Sequence, residues 1–280
     1  MAPERDTTGK VEDAAMKFCC ADLYQRDWVR LLLGDSFHPG GVVLTEHLGA
    51  LINLAPGLRV LDVASGQGTS AIRLAQRFGC QVLGIDYGDA AVQGALQTAS
   101  AAGVSHLVSF QQGDAEHLPM GDGIFDAVIC ECAFCTFPNK QMAASEFTRV
   151  LKPGGRVGLS DLARLGAVPE DLQSLLAWIA CIADALPIAG YIQCLVEAGL
   201  TIDAVEPHDD ALSDMVLAIR EKLFGAELLV KLQKIELPKS VDFEQARALV
   251  KSAAAAIKAR QFGYAVITAT RPNARWVKPQ

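Results

Sequence analysis

The 280-residue chain has no lysine- or arginine-rich run, and it carries a net charge of −7 with a pI near 5.3. Binding to a nucleic-acid backbone starts from a basic patch, so nucleic acid is not an expected partner. The chain also lacks an apolar leader: "MAPERDTTGKVEDAAMKF" is charged throughout, which points to a cytoplasmic protein. No apolar run is long and clean enough to cross a bilayer. The most apolar stretch, "LLAWIACIADALPIAGYIQCLV", is interrupted by Asp184, Pro187 and Gly190 and reads as a buried helix pair. There is no internal repeat and no low-complexity tract, "SAAAAIKAR" reading as helix. Eight cysteines without a secretory leader argue for reduced thiols rather than a disulfide framework.

What is present is enough apolar residue, 51% of the chain, to bury one large core. From residue 55 onward, strand and helix signals alternate. "LRVLDVA" is a short continuous apolar run, as expected of a strand covered on both faces. "TSAIRLAQRFG", "QVLGID", "AAVQGALQTASAAG", "LVSFQQGD", "FDAVICECA", "KQMAASEFTRVLKPGG" and "RVGLSD" then follow as helix, strand, helix, strand, strand, helix and strand. This succession predicts an α/β fold with a doubly wound, mostly parallel, seven-stranded sheet. The organisation expected is an N-terminal helical cap over 1–54 and a cofactor-binding core over 55–165. Cap helices and a sixth strand follow over 166–210, then a helical insertion over 211–260, then the last strand and tail over 261–280. The insertion suits a solvated packing layer, a homodimer surface or a pocket lid.

The first strand runs into "VLDVASGQGTSA". Gly66 and Gly68 let the backbone approach a ligand closely, and the helix behind them offers unpaired N–H groups. Asp86, in "GIDY" at the end of the second strand, can accept two hydrogen bonds from a ribose diol. Asp114, in "QGDAEHLP", occupies the matching tip of the third strand. A phosphate-cradling loop fits poorly because no lysine follows the glycines. A nicotinamide dehydrogenase would need a third glycine where Ala71 stands.

"VLDVASGQG", "GID", "GDAEHLP", "FDAVICECAF" and "RVLKPGGRVGLSD", in this order, resemble the class I S-adenosylmethionine-dependent methyltransferases over about residues 55–165. The resemblance implies S-adenosyl-L-methionine as cofactor and a small-molecule methyl acceptor as substrate. It implies that Asp62, Ala64, Gly66 and Gly68 hold the methionine end, Asp86 the ribose, and Asp114 with Ala115 the adenine, with Tyr87 also among the cofactor-binding residues. Tyr24, or the loop at 36–41 that contains His38, would meet the methionine carboxylate. Ala64 departs from the family, which has glycine there.

"VICECAFCTFP" places Cys130, Cys132 and Cys135 within six positions. On a strand Cys130 and Cys132 share one face and Glu131 takes the other. Cys130 reads as a small core hydrophobe, and Cys132 as filler or as a thiol facing substrate at the carboxyl edge, with Cys135 close enough to share a ligand. A structural zinc site would need a second paired element, and no second CxxC exists, so no metal site is expected. The pattern from "ECAFCTFPNK" to "WIACIADALPIAGYIQCLVEAGL" resembles arsenite methyltransferases. That likeness implies catalytic roles for Cys132 and Cys181, with Cys135 beside them and Cys20, next to Cys19, echoing an N-terminal cysteine. Cys194 reads as core. Thiolates suit a soft trivalent metalloid whose lone pair takes the methyl group, and such a nucleophile needs no general base. This agrees with the absence of an evident His–carboxylate pair from the sequence. The alternatives are methylation of carbon, oxygen or nitrogen on an apolar small molecule such as a lipid, quinone or polyketide, and a non-enzymatic thiol sensor on the same scaffold.

Overall fold

A computed structural model describes residues 17, 38–172, 184–234 and 242–273. Seven strands form one sheet: β1 (Arg59–Val63), β2 (Gln81–Asp86), β3 (Val108–Gln112), β4 (Phe125–Glu131), β5 (Leu151–Arg164), β6 (Thr201–Pro207) and β7 (Phe262–Thr270). Their order across the sheet is β3-β2-β1-β4-β5-β7-β6. β1 pairs in parallel with β2 and β4, β2 with β3, and β4 with β5. β7 is antiparallel to both β5 and β6. This is the expected mostly parallel sheet, with a single reversed strand wedged between the fifth and the sixth.

The helices are α1 (Gly41–Leu51), α2 (Thr69–Phe78), α3 (Asp89–Ala101), α4 (Lys140–Val150), α5 (Ile188–Glu197), α6 (Asp209–Lys231) and α7 (Phe243–Lys258). Boundaries follow local chemistry. Asn139 accepts a bond from the Met142 N–H at the start of α4, and Asp242 accepts from Glu244 and Gln245 at the start of α7. α2 ends at Gly79, in the left-handed conformation with φ 66°, so that the last turn can close. The continuous apolar runs of β1, β4, β5 and β7 are buried on both faces, as their sequences require.

One boundary differs from expectation. The Pro-Gly-Gly stretch after α4 lies inside β5, which begins at Leu151. The register shifts there, from Leu151 opposite Phe125 to Arg156 opposite Ala127. The extra residues are held by exchange with Arg271: Gly154 donates to its carbonyl at 2.8 Å, and its own N–H donates to Gly155 at 2.8 Å. A turn signal therefore becomes a bulge because a second strand partner is available.

The expected insertion is a helical pair, α6 and α7, packed on each other and on β7. Its outer side leaves Leu217, Phe224 and Leu228 exposed. Among the described residues, no helix is long and apolar enough to cross a membrane.

Candidate active site at the carboxyl edge of the sheet

The loop after β1 reverses through three left-handed residues, Ala64 (φ 60°), Gly66 (φ 53°) and Gly68 (φ 78°). At Gly68 a Cβ would sit 2.4 Å from the Phe110 ring, so only glycine fits. At Gly66 nothing lies within 4 Å of that position, and the loop faces open space. Ala64 holds the same backbone conformation with a side chain, which costs about 1 kcal/mol relative to glycine. Ala64→Gly is expected to raise stability by roughly that amount, read as an upward shift of the denaturation midpoint. A lower midpoint would show that the Ala64 methyl packs usefully.

Two carboxylates frame this loop. Asp86 accepts from the Gly66 N–H at 2.8 Å and from the Gly88 N–H at 2.9 Å, so it tethers the loop to the end of β2. Burial raises its pKa, and these backbone bonds oppose the shift. Asp62 is 2% exposed and points from β1 at the first turn of α2. Its carboxyl is held well above the usual range by burial, then by the charges of Glu131 and Asp86, and the Ala71 N–H lowers it only partly.

Three buried polar atoms of β1, the loop after it and the end of β4 have no hydrogen-bond partners among the described residues: Asp62 Oδ2, Ser65 Oγ and Glu131 Oε1. Each unsatisfied group costs about 1–3 kcal/mol. Two carboxylate oxygens and a hydroxyl left open at the carboxyl ends of β1 and β4 fit a ligand that brings a cation and hydrogen-bond donors. An aminoacyl sulfonium such as S-adenosylmethionine has both.

Sequence reasoning missed what lies opposite the loop. Glu131 Oε2 accepts from Ser70 Oγ at 2.6 Å and from Thr45 Oγ1 at 2.9 Å, and His38 Nε2 lies 3.6 Å away. The His38 Nδ1–H donates to the Pro39 carbonyl at 3.1 Å, which leaves Nε2 facing Thr45 and Glu131. A buried His–carboxylate pair therefore does exist, contrary to the expectation from sequence. Its members come from the turn before α1 and from the end of β4, and only the fold brings them together.

At the tip of β3, Asp114 and Glu116 both accept from Lys17 Nζ, at 2.8 Å and 2.7 Å. Burial pulls the Lys17 ammonium down, but its hydrogen bonds to the two carboxylates outweigh this and the pKa rises. Ala115 is buried beside them. The Tyr87 carbonyl accepts from Gln112 Nε2 at 3.0 Å, which ties the end of β2 to β3.

The thiols separate sharply. Cys130 is fully buried, and burial together with the charges of Asp161, Asp62 and Glu131 raises its pKa. Cys135 is also fully buried, in a one-turn 3-10 helix (Phe134–Thr136) whose N–H at Cys135 donates to Asp161 at 2.8 Å. This packing counts Cys135 with the core, whereas the sequence reading places it beside Cys132. Cys132 alone of the three is partly exposed. β4 ends before it, and its backbone is left-handed (φ 52°) with its N–H donating to Ser160 O at 2.7 Å. Strand alternation therefore stops at Glu131 and does not place Cys132 on the face of Cys130. Cys194 is partly buried on α5 and packs against the core. Tyr24, Cys19, Cys20 and Cys181 lie outside the described residues.

The model of a methyltransferase domain matches residues 54–199, just over half of the 280-residue chain. The chain belongs to the class I S-adenosylmethionine-dependent methyltransferases. Among curated methyltransferases it is similar to the arsenite methyltransferase of Halobacterium salinarum, 31% identical over 69% of this chain and 52% of that protein. It is also similar to the 27-O-demethylrifamycin SV methyltransferase of Amycolatopsis mediterranei, 36% identical over 42% of this chain and 43% of that one. The chain spans about half the length of the curated relatives it matches. In fold, this methyltransferase superposes on Haemonchus contortus phosphoethanolamine N-methyltransferase 2, solved with S-adenosyl-L-methionine. The TM-score is 0.74 with 20% identity, covering 87% of this chain and 56% of that one.

For this methyltransferase, Asp86→Ala should weaken S-adenosylmethionine binding by at least ~1.5–3 kcal/mol, the range for a lost hydrogen bond to a charged group. The loss of the Gly66 tether adds to it. Unchanged affinity by calorimetry would remove Asp86 from the cofactor site.

Proposed function

We propose that the protein transfers a methyl group from S-adenosylmethionine to a small, soft acceptor held at Cys132, of the thiol-bound trivalent metalloid type. The observation that carries this is the contrast among the three clustered thiols. Cys130 and Cys135 are sealed in the core, whereas Cys132 is partly exposed where β4 breaks. Ligands of open α/β sheets bind along that edge.

When bound, the cofactor supplies an electrophilic methyl group on a sulfonium. Asp62 and Glu131 carry the negative charge that holds its cationic end, and Asp86 holds the ribose. His38 faces Glu131 from the loop before α1 and would help to position that carboxylate. Cys132 binds the acceptor as a thiolate, with Cys181 as the second sulfur ligand implied by likeness to arsenite methyltransferases. A metalloid held there would present its lone pair to the methyl group that the cofactor would supply. No proton has to be removed from the acceptor.

The second reading is methylation of an apolar small molecule on carbon, oxygen or nitrogen. The buried His38–Glu131 pair favours it, because such acceptors need a base, and so does the rifamycin-type relative. The two separate in one assay: methyl-labelled S-adenosylmethionine offered with arsenite and reductant, or with an apolar small-molecule extract. Label on arsenic supports the first, and label only in the extract supports the second.

A further inference from the structure

Away from the cofactor loop, three potential metal ligands converge. His47 lies on α1, Glu206 in β6, and His208 immediately after it. His47 Nε2 is 2.6 Å from Glu206 Oε2, and His208 Nε2 is 3.4 Å from the same oxygen. The two rings meet edge to face with centroids 5.5 Å apart. The nitrogen and oxygen donors all fall within 4.8 Å of one another. All three side chains reach solvent, with exposures of 43%, 35% and 26%.

We propose that His47, Glu206 and His208 form a binding site for one divalent ion of the zinc class. Two imidazoles and one carboxylate are an established donor set for such ions, with bonds of about 2.0–2.2 Å. Tetrahedral donors at that distance are separated by about 3.3 Å, so the observed spacings need only side-chain adjustment. Neither imidazole has another side-chain hydrogen-bond partner among the described residues. The backbone under the site is fixed: the His208 N–H donates to the Tyr264 carbonyl of β7 at 2.7 Å. Three protein ligands leave a fourth position for water.

The site has a mechanical meaning. His47 shares α1 with Thr45, which donates to Glu131 in the cofactor pocket. Glu206 and His208 stand where β6 turns into α6, the start of the helical insertion. A bound ion therefore clamps α1 to the last turn before the insertion. The sequence did not suggest it, because His47 and Glu206 are 159 residues apart.

The test is Co²⁺ titration of the full chain, reduced and free of other metals, followed by absorbance. One ion is expected, with the d–d bands of nitrogen and oxygen ligation and no thiolate charge-transfer band. That absence separates the site from the cysteines. His47→Ala and His208→Ala should each weaken binding at least about tenfold, while S-adenosylmethionine affinity and the melting midpoint in chelator stay near wild type. The ion should raise the wild-type midpoint by several degrees and leave both variants unmoved. The proposal is overturned if the wild type binds no ion, if thiolate bands accompany binding, or if both variants bind as tightly as wild type.

Discussion

Cys132→Ser is expected to lower arsenite methylation at least about a hundredfold, equivalent to roughly 2.7 kcal/mol of lost transition-state stabilisation. A serine hydroxyl is a hard and barely ionised ligand, so it cannot stand in for a thiolate on a soft centre. Cofactor affinity should remain within about twofold, because the atoms left open for the cofactor belong to Asp62, Ser65 and Glu131 and not to Cys132. Cys130→Ser and Cys135→Ser provide the contrast. Both thiols are fully buried, so their replacement should lower stability by exposing the core to an unmatched hydroxyl. Retained turnover in Cys132→Ser would end the thiol-bound reading and favour a base-assisted acceptor beside His38 and Glu131.

The second large effect concerns pH. Asp62 is sealed between β1 and α2 beside Glu131 and Asp86, and burial with these charges raises its pKa well above the usual range. In the cofactor-free protein the folded state therefore takes up this proton at a higher pH than the unfolded state, whose aspartate titrates near 3.9. Stability should consequently rise as the pH falls through the raised value toward about 3.9. Cofactor binding should move the other way. A cationic ligand prefers the ionised carboxylate, so affinity should fall by up to about tenfold for each pH unit below the raised pKa. In that range binding should release a proton, and the binding enthalpy should depend on the ionisation heat of the buffer. Asp62→Asn should bind more weakly at high pH and lose most of this dependence. A wild-type affinity that is flat with pH, with a buffer-independent enthalpy, would remove Asp62 from contact with the cofactor's charge.

Most of the sheet was legible because β1 and β4 announce themselves as continuous apolar runs and helices with glycine stops follow β1 and β2. The loop of Gly66 and Gly68 and the carboxylates at the strand tips were legible for the same reason: each falls at a fixed offset from a strand end. The long β5 was not, because the strand passes through a Pro-Gly-Gly signal, which pairing with the residue after β7 helps to hold there. The second half of the site was also hidden. Glu131, Thr45, Ser70 and His38 come from β4, α1, α2 and the preceding turn, and Thr45 and Glu131 are 86 residues apart. No local pattern encodes that meeting. The thiols show a limit of alternation. It requires the strand to continue, and the left-handed backbone at Cys132 ends it one residue early.

On the proposed reaction, a methyl group passes to a soft acceptor at the carboxyl edge of β4. The most direct measurement is mass detection of products after the reduced wild-type protein is incubated with methyl-labelled S-adenosylmethionine and arsenite. Labelled methylarsenicals should accumulate in amounts equal to the S-adenosylhomocysteine formed, and should be absent from a Cys132/Cys181 double serine variant that still binds the cofactor. Equal methylarsenical yield from that double variant, or no labelled arsenic from the wild type, would exclude a thiol-held metalloid acceptor.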